Sequence, residues 1–368
     1  AIKSELEALK PIAGYCQGAC GSDLLFADQL LERGAELHLV LPFRKEDFYT
    51  TSVDLGYDSM QHWRDRFDKV FDRATQVHFA SDDIYLGDDA LFAFVNTFAP
   101  GLAITHARRL GVEPVALVVL EPDALQQVGG AADFLANWAK THRSYQEIDL
   151  KEIRARWAAP GVVGDTATPP PSPQRNVFRA DVRRQLKTML FADVKGFSKM
   201  SEEDTPAFFV QLLDAVANLI GQQAEPPAFA NTWGDGLFMV FDSVVSGAEF
   251  ALALLEQVRL IKWNSLGREI TPRLRVGLHA GPVYKRRDPI IGDNNFFGRH
   301  VNRAARIEPI TKADSVFVTE QVAALLAMEP NHSFACEYIG QRELPKDAGR
   351  IALYQLARAT NAARDSTS

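Results

Sequence analysis

A proline-rich stretch near the middle of the chain is the feature that most constrains the fold. Within residues 161–173, four of the last five positions are proline. Proline removes a backbone donor and stiffens the chain, so neither a helix nor a central strand continues through this stretch. The sequence therefore predicts two domains, at residues 1–135 and 181–360. A helical and proline-rich linker at 136–180 separates them, and 361–368 form a tail.

Composition and charge narrow the function classes. The 368 residues are 46% hydrophobic and 24% charged, as in ordinary globular proteins. The formal net charge of −7 argues against a nucleic-acid partner, which usually requires a basic surface. Only three cysteines are present, without metal-ligand spacing, which favours a reducing compartment and a cytoplasmic location. No apolar run approaches the roughly 20 residues of a membrane span, so none is expected.

The first domain alternates strands and helices. Strands are predicted at 12–15, 36–41, 76–79 and 115–120, and helices at 23–33, 63–74 and 90–110. This βαβ order indicates a parallel sheet in a Rossmann-like α/β domain. The glycine-rich turn at 18–21 lies where such folds bind phosphates, yet it lacks the full dinucleotide pattern, so a phosphate site and a purely structural turn both remain open. The stretch 134–157 is predicted to be helical.

The second domain contains an apolar strand that ends in a carboxylate. The sequence FADVKGF at 191–197 places Asp193 at the strand end, with Gly196 in the turn that follows. A strand-end carboxylate beside free backbone N–H groups suits a metal-bound polyphosphate. Asp193 would bind the metal, and the backbone around Lys195, Gly196 and Phe197 would bind phosphate. The alternative is an aspartate that only caps the next helix, predicted at 201–223.

Two further motifs add to this site. TWGDG at 232–236 is typical of a tight hairpin, which places Asp235 beside the Asp193 strand end. Two carboxylates on adjacent strand ends outline a metal site, although Asp-Gly is also a common turn. Farther along, Asn302 and Arg306 are four residues apart in a helix closed by Pro309, hence on one face.

These three motifs in order resemble the catalytic domain of class III nucleotidyl cyclases, over about residues 187–357. The resemblance implies an α+β domain that converts a nucleoside triphosphate to a 3′,5′-cyclic nucleotide and pyrophosphate. It implies two Mg²⁺ or Mn²⁺ ions per site, held by Asp193, Asp235 and the backbone of Val194. Asn302 would orient the ribose, and Arg306 would stabilise charge on the α-phosphate.

The same resemblance implies further features of the substrate site. Lys346, in the sequence RELPKD at 342–347, matches the family lysine that binds the terminal phosphates. In the family, the metal aspartates of one subunit face the asparagine–arginine helix of another. This chain carries both the metal aspartates and the asparagine–arginine helix. The resemblance therefore implies a head-to-tail homodimer with two shared active sites.

The base-reading positions depart from the family. Asn231 and Asn295, with Asn294 as an alternative to the latter, stand where purine cyclases carry their reading pair. Bulky rings lie beside them at Trp233 and at 296–297, where Phe297 directly precedes Gly298. A ring pointing into the base pocket would fill the space of a purine's second ring. The alternative is that all these rings face the core.

These departures favour a pyrimidine nucleoside triphosphate as the substrate, UTP before CTP. Bacterial pyrimidine cyclases that act in antiphage defence also lack the purine pair. The alternatives are an adenylate cyclase with a non-standard reading pair and an inactive cyclase-like nucleotide sensor. His279 is expected to be a satisfied core residue, and His300 stays open as a site residue.

Overall fold

The computed structural model describes residues 1–56, 60–121, 129–157, 183–197, 200–261, 272–330 and 332–359. Of the linker predicted at 136–180, the proline-rich part lies outside these residues, as does the predicted tail, whereas 136–157 is described. Contacts divide the chain into two compact units, residues 1–181 and 182–368. Each unit is described by itself below.

The N-terminal unit alternates short strands with helices. Its strands are β1 (Ala13–Cys16), β2 (Glu36–Leu41), β3 (Gln76–Phe79), β4 (Ala116–Leu120) and β5 (Tyr145–Asp149). Its helices are α1 (Ile2–Leu9), α2 (Ser22–Glu32), α3 (Lys45–Phe48), α4 (Gln61–Arg73), α5 (Ala90–Leu110), α6 (Ala131–Ala139) and α7 (Leu150–Trp157). The strands and helices predicted before residue 121 are confirmed to within two residues at each end.

Among the described residues of this unit, every strand pair is parallel, and the strands form two sheets. One sheet has the order β1-β2-β3, and β4 pairs with β5 in a second. The parallel pairing is as expected, whereas a single Rossmann-like sheet is not confirmed. The prediction of helix throughout 134–157 is wrong, because Tyr145–Asp149 is a strand that pairs in parallel with β4.

Helix α5 packs at the centre of the N-terminal unit. Phe94, Phe98 and Ile104 on this helix are fully buried. By length and composition alone, α5 is apolar enough to cross a membrane, which the sequence analysis did not anticipate. Of its most apolar 18-residue window, however, 61% is buried within the protein. The cytoplasmic location therefore stays a prediction.

The C-terminal unit is one mixed sheet with helices. Its strands are β6 (Arg184–Lys195), β7 (Phe229–Trp233), β8 (Gly236–Phe241), β9 (Arg273–Arg287), β10 (Asn294–Phe297), β11 (Ser315–Thr319), β12 (Phe334–Glu343) and β13 (Arg350–Arg358). Its helices are α8 (Thr205–Gln222), α9 (Val244–Leu260), α10 (Arg299–Ala305) and α11 (Glu320–Met328), and a 3-10 turn covers Glu308–Ile310. This mixed α/β content agrees with the α+β expectation.

Strand β6 lies in the middle of this sheet, whose order is β12-β13-β11-β9-β6-β8-β7, with β10 added to β9. Met189 and Leu190 of β6 are fully buried, and the strand is paired on both edges, with β8 and β9. Helix α8 begins four residues later than predicted, since Ser201 and Asp204 form a hydrogen-bonded turn before it. The end of β6 and the β7–β8 hairpin together position the candidate site.

Candidate active site

Two aspartates meet at the end of β6. Asp193 is the third-last residue of β6, and Asp235 lies in the turn between β7 and β8. Strand β8 is the antiparallel neighbour of β6. The two carboxyls lie close enough for the charge of one to act on the other. Burial and the neighbouring Asp193 charge raise the pKa of Asp235 to about 6. A pair of carboxylates that repel each other in this way is suited to binding a cation.

Arg275 already neutralises part of this charge. In the β6–β9 register, Arg275 lies opposite Asp193, and the two side chains form an ion pair. Arg275 is also close to Glu308, with 2.8 Å between Nε and Oε1, although these two atoms are not aligned as a hydrogen bond. The positively charged side chain of Arg275 therefore lies between the carboxylates of Asp193 and Glu308.

Glu308 is a third carboxyl of the same site. Burial raises its pKa to about 7; the charge of Arg275 opposes this shift, and Asp193 and Asp235 add to it. Glu308 begins the 3-10 turn that follows α10, so its position depends on the packing of that turn against β9 and β6. The site thus contains three acidic groups and one arginine, rather than the two aspartates predicted.

The turns on either side of these aspartates need glycine. Gly196 has a φ of 93° and Gly234 a φ of 65°, a backbone region that residues with a Cβ rarely adopt. Lys195 is exposed, whereas Phe197 packs against Phe208 and Phe209 of α8, with ring centroids 5.6 and 5.2 Å apart. Only the backbone of Phe197 is therefore available to a phosphate.

The structure places Asn302 inside α10 and Arg306 directly after it, at the C-cap. Asn302 is exposed and Arg306 half-buried. Within the described residues, neither side chain forms a hydrogen bond or ion pair, and neither contacts Asp193 or Asp235 in this way. The two halves predicted for one active site are therefore both present, but no polar contact joins them within one chain.

A buried histidine pair anchors α10 to β9. His279 Nε2 lies 2.7 Å from His300 Nδ1, and His279 Nδ1 lies 2.9 Å from Thr319 Oγ1. Burial, with the charges of His300 and Arg303, lowers the pKa of His279 well below its usual value, so its ring is neutral. His279 is the satisfied core residue expected. His300, left open from sequence, is 1% exposed and belongs to the same pair.

The base-reading candidates differ in their surroundings. Asn231 is half-buried, and its side-chain oxygen accepts from the backbone N–H of Thr232. Asn295 donates from Nδ2 to Asp288 at 3.0 Å and accepts from its neighbour Phe296, so both ends of its amide are engaged. Asn294, the alternative, is exposed.

The aromatic candidates divide between core and surface. Phe296 is 3% exposed and packs with Phe229 and other core residues, as the alternative interpretation required. Trp233 is 55% exposed, and Phe297 is 43% exposed while stacking on Tyr284. Two of the three rings are thus free to contact a ligand. Lys346 is exposed at a positive φ of 60° in the turn between β12 and β13.

The glycine-rich turn of the N-terminal unit has its donors occupied. The backbone N–H groups of Gly18 and Ala19 donate to the carboxylate of Asp23, at 3.1 and 3.3 Å. Burial raises the pKa of Asp23, and these backbone donors oppose the shift. A phosphate in this turn would compete with a carboxylate already there, so the structural interpretation of the turn is favoured.

Sequence reasoning missed Arg275 and Glu308. Arg275 is a charged residue within the largely apolar run 274–280, and that charge is a signal for it. Glu308 lies two residues after Arg306 and directly before Pro309, and nothing in this local sequence distinguishes it from a surface residue. Neither position revealed its partner, because Arg275 meets Asp193 through the pairing of β6 with β9. Glu308 meets Arg275 through the packing of its 3-10 turn.

Comparison with known families supports the geometry. Residues 182–358 match the family described as the adenylate and guanylate cyclase catalytic domain. This segment is a class III cyclase catalytic domain. The match covers all the strands of the C-terminal unit and both aspartates, and it leaves out the N-terminal unit.

Curated relatives match less than half of the chain. The pH-sensitive adenylate cyclase MT1302 of Mycobacterium tuberculosis is 28% identical over 173 residues, which are 46% of this chain and 40% of that protein. An adenylate cyclase of Anabaena cylindrica is 29% identical over 170 residues, 43% of this chain and 34% of that protein. The chain therefore spans less than half the length of these relatives.

Among solved structures, the adenylyl cyclase CyaB from P. aeruginosa aligns with 49% of this chain and 97% of its own, at 17% identity and a TM-score of 0.44. The guanylate cyclase domain of RhGC from Catenaria anguillulae, in complex with GTP, aligns with 49% of this chain at 19% identity and a TM-score of 0.42.

Proposed function

We propose that this chain is a nucleotidyl cyclase, which converts a nucleoside triphosphate to a 3′,5′-cyclic nucleoside monophosphate and pyrophosphate. One observation carries the proposal: the Asp193 and Asp235 carboxyls converge at adjacent strand ends of a cyclase domain. In the reaction, the ribose 3′-oxygen attacks the α-phosphorus, and the bond to the β-phosphate oxygen breaks. The 3′-hydroxyl proton is lost, and pyrophosphate leaves.

The acidic pair fits a divalent cation. Asp193, Asp235 and the backbone carbonyl of Val194 would hold Mg²⁺ or Mn²⁺, and their oxygen donors are the type that these ions prefer. The raised pKa of Asp235, caused first by burial and then by the charge of Asp193, supports this assignment, since a bound cation would stabilise the ionised pair. The bound ions supply a lowered pKa for the 3′-hydroxyl and a charge that balances the triphosphate.

The remaining chemistry belongs to this chain's own side chains. Asn302 would orient the ribose, and Arg306 would stabilise the negative charge that grows on the α-phosphate in the transition state. Lys346 and the backbone of Lys195, Gly196 and Phe197 would bind the outer phosphates. Asn302 and Arg306 have no polar partner within the described part of their own unit, which leaves them available to a substrate.

A homodimer would complete each site. Asp193 and Asp235 make no hydrogen bond or ion pair with Asn302 or Arg306 inside the described residues, so we infer that each aspartate pair works with the α10 helix of the partner subunit. Two-fold symmetry then produces two equivalent sites. The mixing experiment described in the Discussion tests this arrangement.

For the base, we infer a preference for UTP over CTP and the purines. The exposed rings of Trp233 and Phe297 support the inference, because either ring can narrow the base pocket and stack on one aromatic base. Asn231 would read the base edge. Asn295 is less suited than the sequence implied, because Asp288 engages its amide. A pyrimidine product would suit an alarm signal in antiphage defence.

The second candidate is an adenylate cyclase. The names of the mycobacterial relative and of the cyanobacterial relative favour it. Purified chain would be incubated with UTP, CTP, ATP or GTP and Mn²⁺, and the cyclic products quantified by mass spectrometry. We expect the parent chain to form a cyclic nucleotide and the Asp235→Asn chain to form none. A turnover efficiency for ATP tenfold above UTP would overturn the pyrimidine preference, and no product from any triphosphate would overturn the enzyme.

The N-terminal unit would then be a Rossmann-like accessory domain. The parallel strands β1 to β5 and the helices between them support this assignment. An experimental structure in which β4 pairs with β1 would establish the single sheet that it requires.

A further inference from the structure

The N-terminal unit contains a cluster of ionisable aromatic side chains that the cyclase reaction does not use. Tyr15 of β1, His38 of β2 and His78 of β3 share one face of the parallel sheet, and His106 of α5 packs over it. The ring centroids of His38 lie 4.4 Å from Tyr15, 5.6 Å from His78 and 5.3 Å from His106. Glu36, two residues before His38 in the strand, faces the same side.

We propose that Glu36, His38 and His106 form a binding site for a late first-row divalent metal ion such as Zn²⁺. One ligand atom from each of the three residues lies within 4.8 Å of the others. Two imidazoles and one carboxylate are a common donor set for zinc with an open coordination position. Imidazole ligands favour Zn²⁺, Co²⁺ or Ni²⁺ over Mg²⁺ and Ca²⁺.

The hydrogen bonds of the cluster orient both imidazoles. His38 Nε2 lies 3.3 Å from Glu36 Oε2, while its Nδ1 lies 3.3 Å from His78 Nε2. His106 Nδ1 lies 2.8 Å from the Tyr15 hydroxyl, so its Nε2 is the nitrogen available to a metal. In metal sites, a ligating histidine usually binds an oriented partner through its second ring nitrogen. His78 and Tyr15 provide such partners here.

Charge and access also suit a cation. Burial lowers the pKa of both His38 and His106, so both rings are neutral at neutral pH, as metal ligation requires. Glu36 supplies the compensating negative charge, and its side chain is 50% exposed, which provides an entry path from solvent. Arg109, three residues after His106 on α5, places a positive charge nearby, which opposes the binding of a cation.

Bound metal would tie helix α5 to strand β2. A metal ligated from both elements would stabilise the N-terminal unit. Because the ligands are imidazoles, this site is chemically distinct from the all-oxygen site of the cyclase domain. It would respond to Zn²⁺ at concentrations where Mg²⁺ has no effect on it.

The test uses the full chain without a histidine tag and with Asp193→Asn and Asp235→Asn, which remove the other divalent site. Co²⁺ is titrated while visible absorption is recorded, since imidazole-ligated four- or five-coordinate Co²⁺ absorbs far more strongly than octahedral Co²⁺. Zn²⁺ binding is measured by calorimetry on the same protein. We expect one equivalent of each ion to bind and the melting temperature to rise with Zn²⁺.

Matched variants locate the ion. His106→Gln and Glu36→Gln should weaken Zn²⁺ binding severely, and Tyr15→Phe about 10- to 100-fold, because it removes only an orienting partner. His62→Gln, at an exposed histidine of α4, should change nothing. Circular dichroism checks that each variant is folded. No Co²⁺ band, or Zn²⁺ binding unchanged in a folded His106→Gln chain, would overturn the proposal.

Discussion

Arg275 and Asp193 lie opposite each other on neighbouring strands and form an ion pair at the floor of the candidate active site. The same guanidinium approaches Glu308. Arg275 therefore holds the Asp193 carboxylate in position and limits the charge that accumulates when Asp235 loses its proton. The positive charge of Arg275 thus balances part of the negative charge of the site and leaves the rest for bound metal ions.

Replacing Arg275 should damage catalysis more than stability. Arg275→Gln removes the partner that orients Asp193, and we expect kcat to fall by about 10- to 100-fold, as when an orienting partner of a metal ligand is lost. Arg273→Gln is the matched control on the same strand, since Arg273 pairs with the distant Asp314 at the surface. Equal activity in both variants would contradict a positioning role for Arg275.

The two aspartates should be essential for turnover and dispensable for folding. Asp193→Asn or Asp235→Asn removes a charged metal ligand at a partly exposed strand end, so we expect activity to fall on the order of 100-fold or more. Melting temperature and circular dichroism should stay near those of the parent chain. Asp242→Asn, at the other end of β8, is the control, because Asp242 is exposed and pairs with Lys187. Near-normal turnover by either site variant with Mg²⁺ would refute the metal assignment.

Mixing two inactive chains should restore activity. In a shared-site homodimer, an Asp193→Ala chain and an Arg306→Ala chain form heterodimers in which one of the two sites is intact. With random pairing, half of the dimers are heterodimers, so we expect about a quarter of the parent activity, because half the dimers then carry one good site of two. The readout is cyclic nucleotide formed after co-refolding or co-expression. Recovery no greater than the sum of the separate chains would rule out shared sites.

Metal affinity should rise with pH across the acidic range. The pKa of Asp235 is raised from 3.8 to about 6, and that of Glu308 from 4.5 to about 7. Since the folded state holds these protons more tightly than the unfolded state, their stabilising contribution is present below about pH 4 and is lost as pH rises towards 7. Bound Mg²⁺ or Mn²⁺ replaces the lost protons.

The measurement follows from this linkage. Melting curves with and without Mn²⁺ at pH 5, 6 and 7 should show a metal-induced stabilisation that grows with pH. In the Asp235→Asn chain, this growth should largely disappear. A metal effect that is constant from pH 5 to 7 in the parent chain would contradict competition between metal and proton at this pair.

Gly281 should be irreplaceable for a steric reason. A Cβ at this position would lie 2.1 Å from His300 Nδ1, so Gly281→Ala forces the histidine pair and helix α10 to shift. We expect a loss of about 1–3 kcal/mol in the free energy of unfolding, as for other overpacked cores, together with reduced activity through Asn302. Chemical denaturation measures the first effect. Gly221→Ala, where a Cβ meets nothing within 4 Å, should cost no stability, and the two variants behaving alike would contradict this account.

Much of the C-terminal unit could be predicted because its signals are local. The apolar run before Asp193 predicts a central strand, and Gly196 and Gly234 predict tight turns, whose positive φ angles the structure then shows. The short turn pairs β7 with β8 and places Asp235 at its tip. The approach of Asp235 to Asp193 depends on the pairing of β8 with β6. Strand β10 was not predicted as a strand, because residues 294–297 are polar at one end and pair only with the long β9.

Other features depended on residues far apart in the sequence. Phe296 and Phe297 are adjacent and chemically identical, yet one is buried and the other 43% exposed, because consecutive side chains of a strand point to opposite faces. Asn295 looked free to read a base until the structure placed Asp288 beside it.

The sequence by itself determined the order of elements in the cyclase domain and the positions of its aspartates, asparagine and arginine, because periodicity and turn residues act over a few neighbours. Only the tertiary structure decided that Arg275 and Glu308 join Asp193, that His279 pairs with His300, and that Glu36, His38 and His106 converge. Each of the three depends on strand register or helix packing, and the free energy that selects a register is spread over the whole buried face rather than encoded at the residues that meet.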